Sequence, residues 1–367
     1  MNLALFFTCG VSLKQWALIG NLEREIKPYQ GLLNHIDKIY FFTYGSKKDL
    51  DFSKNLGEKI IILPNKWKIP ACLFGFLIPF FYWKILKTID VFKTNQMAGA
   101  IPAVIAKFIF KKKLIVRTGY EWLEFLEKQK KPFYKRAIVS LWEKIAYNAA
   151  DLVILSSEKD KIFIQKKFKV SDRKIRIIPN YIDTGLFKSL DLEKEKNRVV
   201  FIGRLTKQKN IANLIEAIAS LPVKLTIIGQ GELKVELEKL AKEKNASVEF
   251  KDKVSNSQLP EILNKAEIFV LPSLYEGCPK SLLEAMACGL PCLGCDVEGI
   301  KEIIIHKENG YLCQTEAVSI RKALVELLGD EMLRAKIGNN ARQTILNDFS
   351  LEKIMEKELA LYEKTFV

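Results

Sequence analysis

Histidine occurs only twice in 367 residues, as His35 and His306. That scarcity argues against histidine-rich zinc sites and against a Ser-His-Asp triad, which needs its imidazole in the site. Both histidines are expected at the surface. Proline (12) and glycine (19) are also sparse, which rules out collagen-like and low-complexity chains. The seven cysteines are odd in number and scattered, unlike the disulfide framework of a small secreted domain. No leader with a charged start is read at the amino end, so the thiols are expected to be reduced and the protein cytoplasmic. Long apolar runs are missing as well. The longest uncharged stretch, 69–83 between Lys68 and Lys84, is interrupted by Pro70 and Pro79 and falls short of the ~18 to 20 residues that cross a bilayer. No transmembrane helix is expected.

What the chain does have is apolar material, 49% of its residues, and a length at which one hydrophobic core gives way to two. It also has uneven charge. The formal net charge is +15, and residues 1–180 carry 32 basic against 15 acidic side chains, whereas the remainder carries 26 against 28. All the excess lies in the first half.

Short apolar runs alternate with amphipathic helical patterns, the rhythm of βαβ units around parallel sheets. In the second half the strand candidates are 199–203, 225–229, 248–250, 268–271 and 292–295. Ile211, Leu214, Ile215 and Ile218 form one stripe of an intervening helix, and a helix over 281–288 is stopped by Gly289 and Pro291. In the first half the candidates are 3–8, 40–44, 59–63, 91–94, 114–117, 152–155 and 175–178. These readings predict an α/β chain with a first domain over 1–180, a linker over 181–197, and a second domain over 198–349. A helix over 350–367 is expected to pack back onto the first domain.

The sharpest signal is the stretch from Pro272 to Pro291, which contains Glu276, Gly277, Cys278, Pro279, Lys280 and Glu284. It follows a strand and opens a helix. A loop of that kind offers backbone amides and the positive end of a helix dipole to an anion, and phosphate is the expected guest. Further motifs are Phe201-Ile202-Gly203-Arg204-Leu205 running to Lys209-Asn210, the Gly229-Gln230-Gly231 turn, the 338–342 segment ending in Arg342, residues 150–156, and Ile178-Pro179-Asn180.

As a set, these motifs resemble those of the retaining glycosyltransferases of family 4, from about residue 90 to the end. The resemblance implies the GT-B fold, two Rossmann-like domains with parallel sheets facing across a cleft. It implies that Arg204 and Lys209 clamp the diphosphate of a nucleotide sugar, and that Gly203 and Gly229 are among the donor-binding residues. Glu284 would hold the ribose hydroxyls, Glu276 would contact the donor sugar, and the turn Gly277, Cys278, Pro279, Lys280 would supply further donor contacts. Breaking a sugar–diphosphate bond leaves charge on the departing phosphate, which fixed cations and helix amides stabilise without a metal. No cofactor is implied, and no Asp-x-Asp triplet of the metal-dependent kind is read in a strand-end loop. The competing reading of Arg204 and Lys209 is a solvated basic patch, and of the two glutamates a helix-end pairing with lysines. Two glycines often follow the first strand in such proteins; here the sequence is Thr8-Cys9-Gly10, and Gly10 is a candidate on the donor side. Relatives also often carry a histidine where this chain has Arg117-Thr118-Gly119-Tyr120-Glu121.

The resemblance further implies a glycan or lipid-linked acceptor, a role in bacterial surface polysaccharide or lipopolysaccharide synthesis, and work at the cytoplasmic face of the membrane. The lysines of the first half and the aromatic run 73–83 fit an anionic membrane surface, with solvated helix faces as the alternative. Nucleic acid fits less well, because no stacking platform accompanies the lysines. A sugar-nucleotide epimerase and a DNA-glucosylating protein are the rival functions. Cys288, Cys292 and Cys295 have the spacing of an iron–sulfur ligand set, but buried structural cysteines in a helix end and a strand are the expectation.

Overall fold

The computed structural model describes residues 1–119, 121–252 and 254–366, so Tyr120, quoted above, lies outside it. The chain divides into two compact units: Met1–Pro179 together with the terminal residues from Met355 on, and Asn180–Ile354.

The first unit is built on seven strands: β1 (Asn2–Phe6), β2 (Lys38–Phe42), β3 (Ile60–Leu63), β4 (Val91–Thr94), β5 (Lys113–Arg117), β6 (Leu152–Leu155) and β7 (Ile175–Ile177). Their order is β3-β2-β1-β4-β5-β6-β7, and every pairing is parallel. Helices cover both faces, so the strands are buried on both sides and read as continuous apolar runs such as Ile60-Ile61-Ile62-Leu63. Phe6 stacks on Phe42 with ring centres 4.8 Å apart, and Phe92 meets Phe6 edge-on.

The second unit has six parallel strands: β8 (Arg198–Ile202), β9 (Lys224–Ile228), β10 (Val248–Lys251), β11 (Ile268–Leu271), β12 (Cys292–Cys295) and β13 (Tyr311–Cys313), in the order β10-β9-β8-β11-β12-β13. The sequence reading omits β13, which has only three residues and sits at a sheet edge. Residues 181–197, read above as a linker, belong to this second unit. Ile182 pairs with Ser350 in an isolated parallel bridge, Phe187 is buried in the core, and Arg342 donates to the carbonyls of Phe187 (2.7 Å) and Ala287 (2.6 Å). Arg342 is therefore a clamp on this segment. The last helix, Leu351–Phe366, leaves the second unit at Ile354 and continues against the first. Both sheets reverse their strand order about a central strand, β1 in one and β8 in the other, and the crevice beyond the carboxyl ends at such a point is where doubly wound folds take ligands.

Candidate active site

The loops that leave β8, β9, β11 and β12 meet at the carboxyl end of the second sheet. Leu205 donates its amide to the Gln230 carbonyl (2.9 Å), which joins the loops after β8 and β9. Gly229 has φ +150°, and a Cβ there would lie 1.9 Å from the Gly203 carbonyl oxygen, so glycine at 229 permits an approach that no side chain allows. Gln208 donates its side-chain amide to the Tyr275 carbonyl (2.9 Å) and accepts from the Leu274 amide at its own carbonyl (2.9 Å). Asn210, in the left-handed region at φ 52°, donates to the carbonyls of Pro272 (3.1 Å) and Thr315 (2.8 Å). The Arg204–Asn210 loop is thus tied to the Pro272–Lys280 loop.

At this junction three side chains meet. Lys209 Nζ lies 2.5 Å from Glu276 Oε1, and Ser273 donates its hydroxyl to the same oxygen at 2.6 Å. Both charged side chains are nearly buried, which strengthens the pair relative to a surface ion pair and fixes Glu276 against rotation. The Glu276 amide donates to the Glu298 carbonyl (3.3 Å), and Gly299 (φ +82°) passes so close that a Cβ there would lie 2.2 Å from the Gly277 oxygen. Arg204 behaves differently: it is exposed and makes no ion pair among the described residues.

The helix Lys280–Ala287 begins directly after Pro279, whose carbonyl accepts from the amides of Leu282 and Leu283. The amides of Gly277 and Ser281 take no partner among the described residues, so this end presents donors to the loop. Cys278 is buried, and its carbonyl accepts from the Asn180 side-chain amide at 2.7 Å. The Lys280 ammonium lies 5.4 Å from the Tyr181 ring centre. Glu284 sits on this helix and is only 3% exposed. Burial pushes the Cys288 thiol, one turn on, up to about 12, and the Glu284 charge adds to that shift. Gly203, Arg204, Lys209, Gly229, Glu276, Gly277, Cys278, Pro279, Lys280 and Glu284 therefore belong to one end of one sheet. Gly10 lies in the first unit, in the loop after β1, exposed and at φ +79°.

Three side chains at this end carry no role in the sequence reading: Ser273, Gln208 and Asn180. All three fall inside the quoted motifs, Ser273 in Pro272-to-Pro291, Gln208 in 201–210 and Asn180 after Pro179, and that is the signal that points to them. Cys292 and Cys295 stand three apart in a strand and so project from opposite faces, while Cys288 ends a helix. The three thiols do not converge. Both histidines are exposed. The chain does contain one Asp-x-Asp triplet, Asp49-Leu50-Asp51, a few residues past β2. Asp49 is buried and accepts from the Thr43 hydroxyl (2.6 Å) and the amides of Leu13 and Lys14 (3.2 Å each), so it is consumed in holding the start of the helix Leu13–Leu18.

A doubly wound pair of parallel-sheet units, with a phosphate-ready loop and helix end at the switch point of the second, is the arrangement of the GT-B glycosyltransferases. The comparisons with known proteins agree. Residues 184–344 match the model for glycosyl transferases group 1, and residues 30–186 match the model for glycosyltransferase family 4. The chain belongs to the group 1 glycosyltransferases of the family 4 type. An uncharacterised glycosyltransferase of Methanocaldococcus jannaschii is 28% identical, the match covering 94% of this chain and 95% of that protein. The Escherichia coli UDP-Gal:alpha-D-GlcNAc-diphosphoundecaprenol alpha-1,3-galactosyltransferase is 28% identical over 76% of this chain and 77% of that protein. Among solved structures, the sucrose-phosphate synthase of Thermosynechococcus elongatus superposes with a TM-score of 0.80 at 21% identity, covering 100% of this chain and 99% of that one. HepE of Anabaena in complex with UDP gives 0.80 at 18% identity, covering 99% and 100%. The fold is GT-B.

Proposed function

We propose that this glycosyltransferase moves a hexose from a nucleotide-diphosphate sugar to a hydroxyl of a glycan or lipid-linked acceptor, with retention at the sugar carbon and without a metal ion. The observation that carries the reading is the junction of Lys209, Glu276 and Ser273 beside the amino end of the helix Lys280–Ala287 at the switch point of the second sheet. In this reading Arg204 and Lys209 neutralise the diphosphate, Glu284 holds the ribose hydroxyls, and Glu276 faces the donor sugar while Ser273 fixes its rotamer. The amide end of the helix adds donors where charge grows on the leaving phosphate. The close approach of Gly229 to the Gly203 carbonyl keeps bulk out of that corner.

During transfer the bond from the sugar carbon to the β-phosphate oxygen breaks, and the bond to the acceptor oxygen forms on the same face. The acceptor proton passes to the leaving phosphate, so the scarcity of histidine costs the reaction nothing. The E. coli relative acts, by its name, on a diphosphoundecaprenol acceptor, and HepE has been seen with UDP and UDP-glucose. These support a nucleotide sugar as donor and a lipid-linked or glycan acceptor; the role proposed for the transfer is surface polysaccharide or lipopolysaccharide synthesis on the cytoplasmic side.

The test is to incubate the purified protein with a panel of UDP- and GDP-sugars, with and without glycan acceptors, and to follow nucleoside diphosphate release. The expected product keeps the anomeric configuration of the donor, and a chelator leaves the rate unchanged. An inverted product contradicts retention. Loss of activity in chelator, restored by manganese or magnesium, contradicts metal independence.

A further inference from the structure

Of three helices on one face of the first sheet, the outer two leave apolar stripes facing outward and the middle one ends in exposed apolar side chains. The three are Ala71–Phe81, Ala100–Phe110 and Phe133–Ala149, and the middle one packs against each of the others. On the first, Leu73, Phe76 and Phe80 are exposed at i, i+3 and i+7, while Phe74 and Ile78 point into the core. On the third, Tyr134, Ile138, Leu141 and Ile145 fall at i, i+4, i+7 and i+11, with Ile138 66% and Leu141 62% exposed. Phe108 and Ile109 end the middle helix in the same condition. This many exposed apolar side chains on neighbouring helices of one sheet face mark a contact site.

The charge around these stripes is predominantly basic, the nearby Glu124, Glu127 and Asp151 being paired with Lys159, Lys167 and Lys107. Between Glu58 and Glu121 the only acid is Asp90, and residues 128–142 contain none. Lys84 and Lys87 follow the first helix, Lys111 and Lys113 the second, and Lys131 and Lys135 border the start of the third, all of them exposed. Lys87 lies 4.4 Å from the ring centre of the exposed Trp83, and Lys66 lies 5.4 Å from that of Trp67. Aromatic and aliphatic side chains with a lysine border are what the headgroup region of an anionic bilayer accepts: apolar groups enter and ammonium groups meet phosphate. A second copy of the same face would bring like charges together, and exposed isoleucine and leucine have no counterpart on nucleic acid. No helix among the described residues is long and apolar enough to cross a membrane, so the contact lies on its surface.

We propose that this three-helix face docks the first unit on a bilayer carrying anionic lipid. The inference stands apart from the donor site, which is built from residues of the second unit alone, and the two can fail separately. The experiment is cosedimentation of the full chain with phosphatidylcholine vesicles, with and without a third of phosphatidylglycerol, at low and high salt. Four proteins are compared: the wild type, Phe76→Ser/Phe80→Ser, Ile138→Ser/Leu141→Ser, and Lys111→Glu/Lys112→Glu/Lys113→Glu. The wild type is expected to sediment with the anionic vesicles. Both serine pairs should lose at least about tenfold in vesicle affinity at either salt concentration, since they remove inserted apolar area. The glutamate triple should lose roughly a hundredfold at low ionic strength and much less at high, where screening has already removed that attraction. Melting temperature and donor hydrolysis show that each variant is folded. No sedimentation of the wild type, or equal sedimentation of the folded serine variants, overturns the proposal, as does retention on nucleic acid in place of vesicles.

Discussion

The first unit stores carboxyl groups where water cannot reach them. Glu143 has no exposed surface, and one of its oxygens accepts from the Leu123 amide at 3.2 Å. Glu121 accepts from the Tyr147 hydroxyl at 2.6 Å, and Asp160 accepts from the hydroxyls of Ser157 (2.7 Å) and Ser156 (3.2 Å). Burial pushes Glu143 up to about 7 and Glu121 well above the usual carboxyl range, the latter with added repulsion from Glu143 and Asp160. The folded state therefore holds protons that the unfolded chain has released above its ordinary value of 4.5. Stability from Glu143 is fully present below that value and is lost as pH rises through about 7. The expected result is a melting temperature that falls for the wild type, relative to Glu143→Gln, between about pH 5 and pH 8. Parallel melting curves across that window would place the proton elsewhere.

Most elements were legible because their physics is local. A strand in an all-parallel sheet is buried on both faces, so β3, β6 and β11 stand out as unbroken apolar runs between turn residues. The edge strand Tyr311–Cys313 did not, because three residues carry no period. The helix Phe133–Ala149 shows why the docking face was read only in part: its exposed stripe and its buried Val139, Ala146 and Tyr147 look alike in sequence, and packing alone separates them. At the site, the loop and helix were readable from turn chemistry, but Lys209 and Glu276 are 67 positions apart and only the sheet order brings them together. The same holds for the terminal helix. Lys93 on β4 is buried and pairs with Glu358, which also accepts from the Tyr362 hydroxyl. Burial pushes the Glu358 carboxyl up, but Lys93 and Arg117 outweigh it and hold the group below its usual range. Glu358→Ala leaves the Lys93 charge buried without its partner and should cost about 3 kcal/mol or more. Adding Lys93→Met to that variant should restore much of the loss, and purely additive effects in denaturant melts would show the pair to be uncoupled.

At the scale of the whole molecule, the two units divide the work by charge and topology. The first carries the basic excess, the apolar face and Gly10; the second, near neutral, carries the loops that meet at its switch point. The central claim is that this end of the second sheet holds the nucleotide sugar. Arg204 is exposed and Glu284 is a buried side chain outside the apolar stripe, so Arg204→Ala and the isosteric Glu284→Gln test the claim with little disturbance of packing. The decisive measurement is donor hydrolysis by the wild type and these two variants, read beside their melting temperatures. The account predicts losses of about 10²-fold or more in kcat/KM for each variant, as for removal of a charge-stabilising group, with melting within a few degrees of the wild type. Unchanged hydrolysis in either folded variant would contradict it.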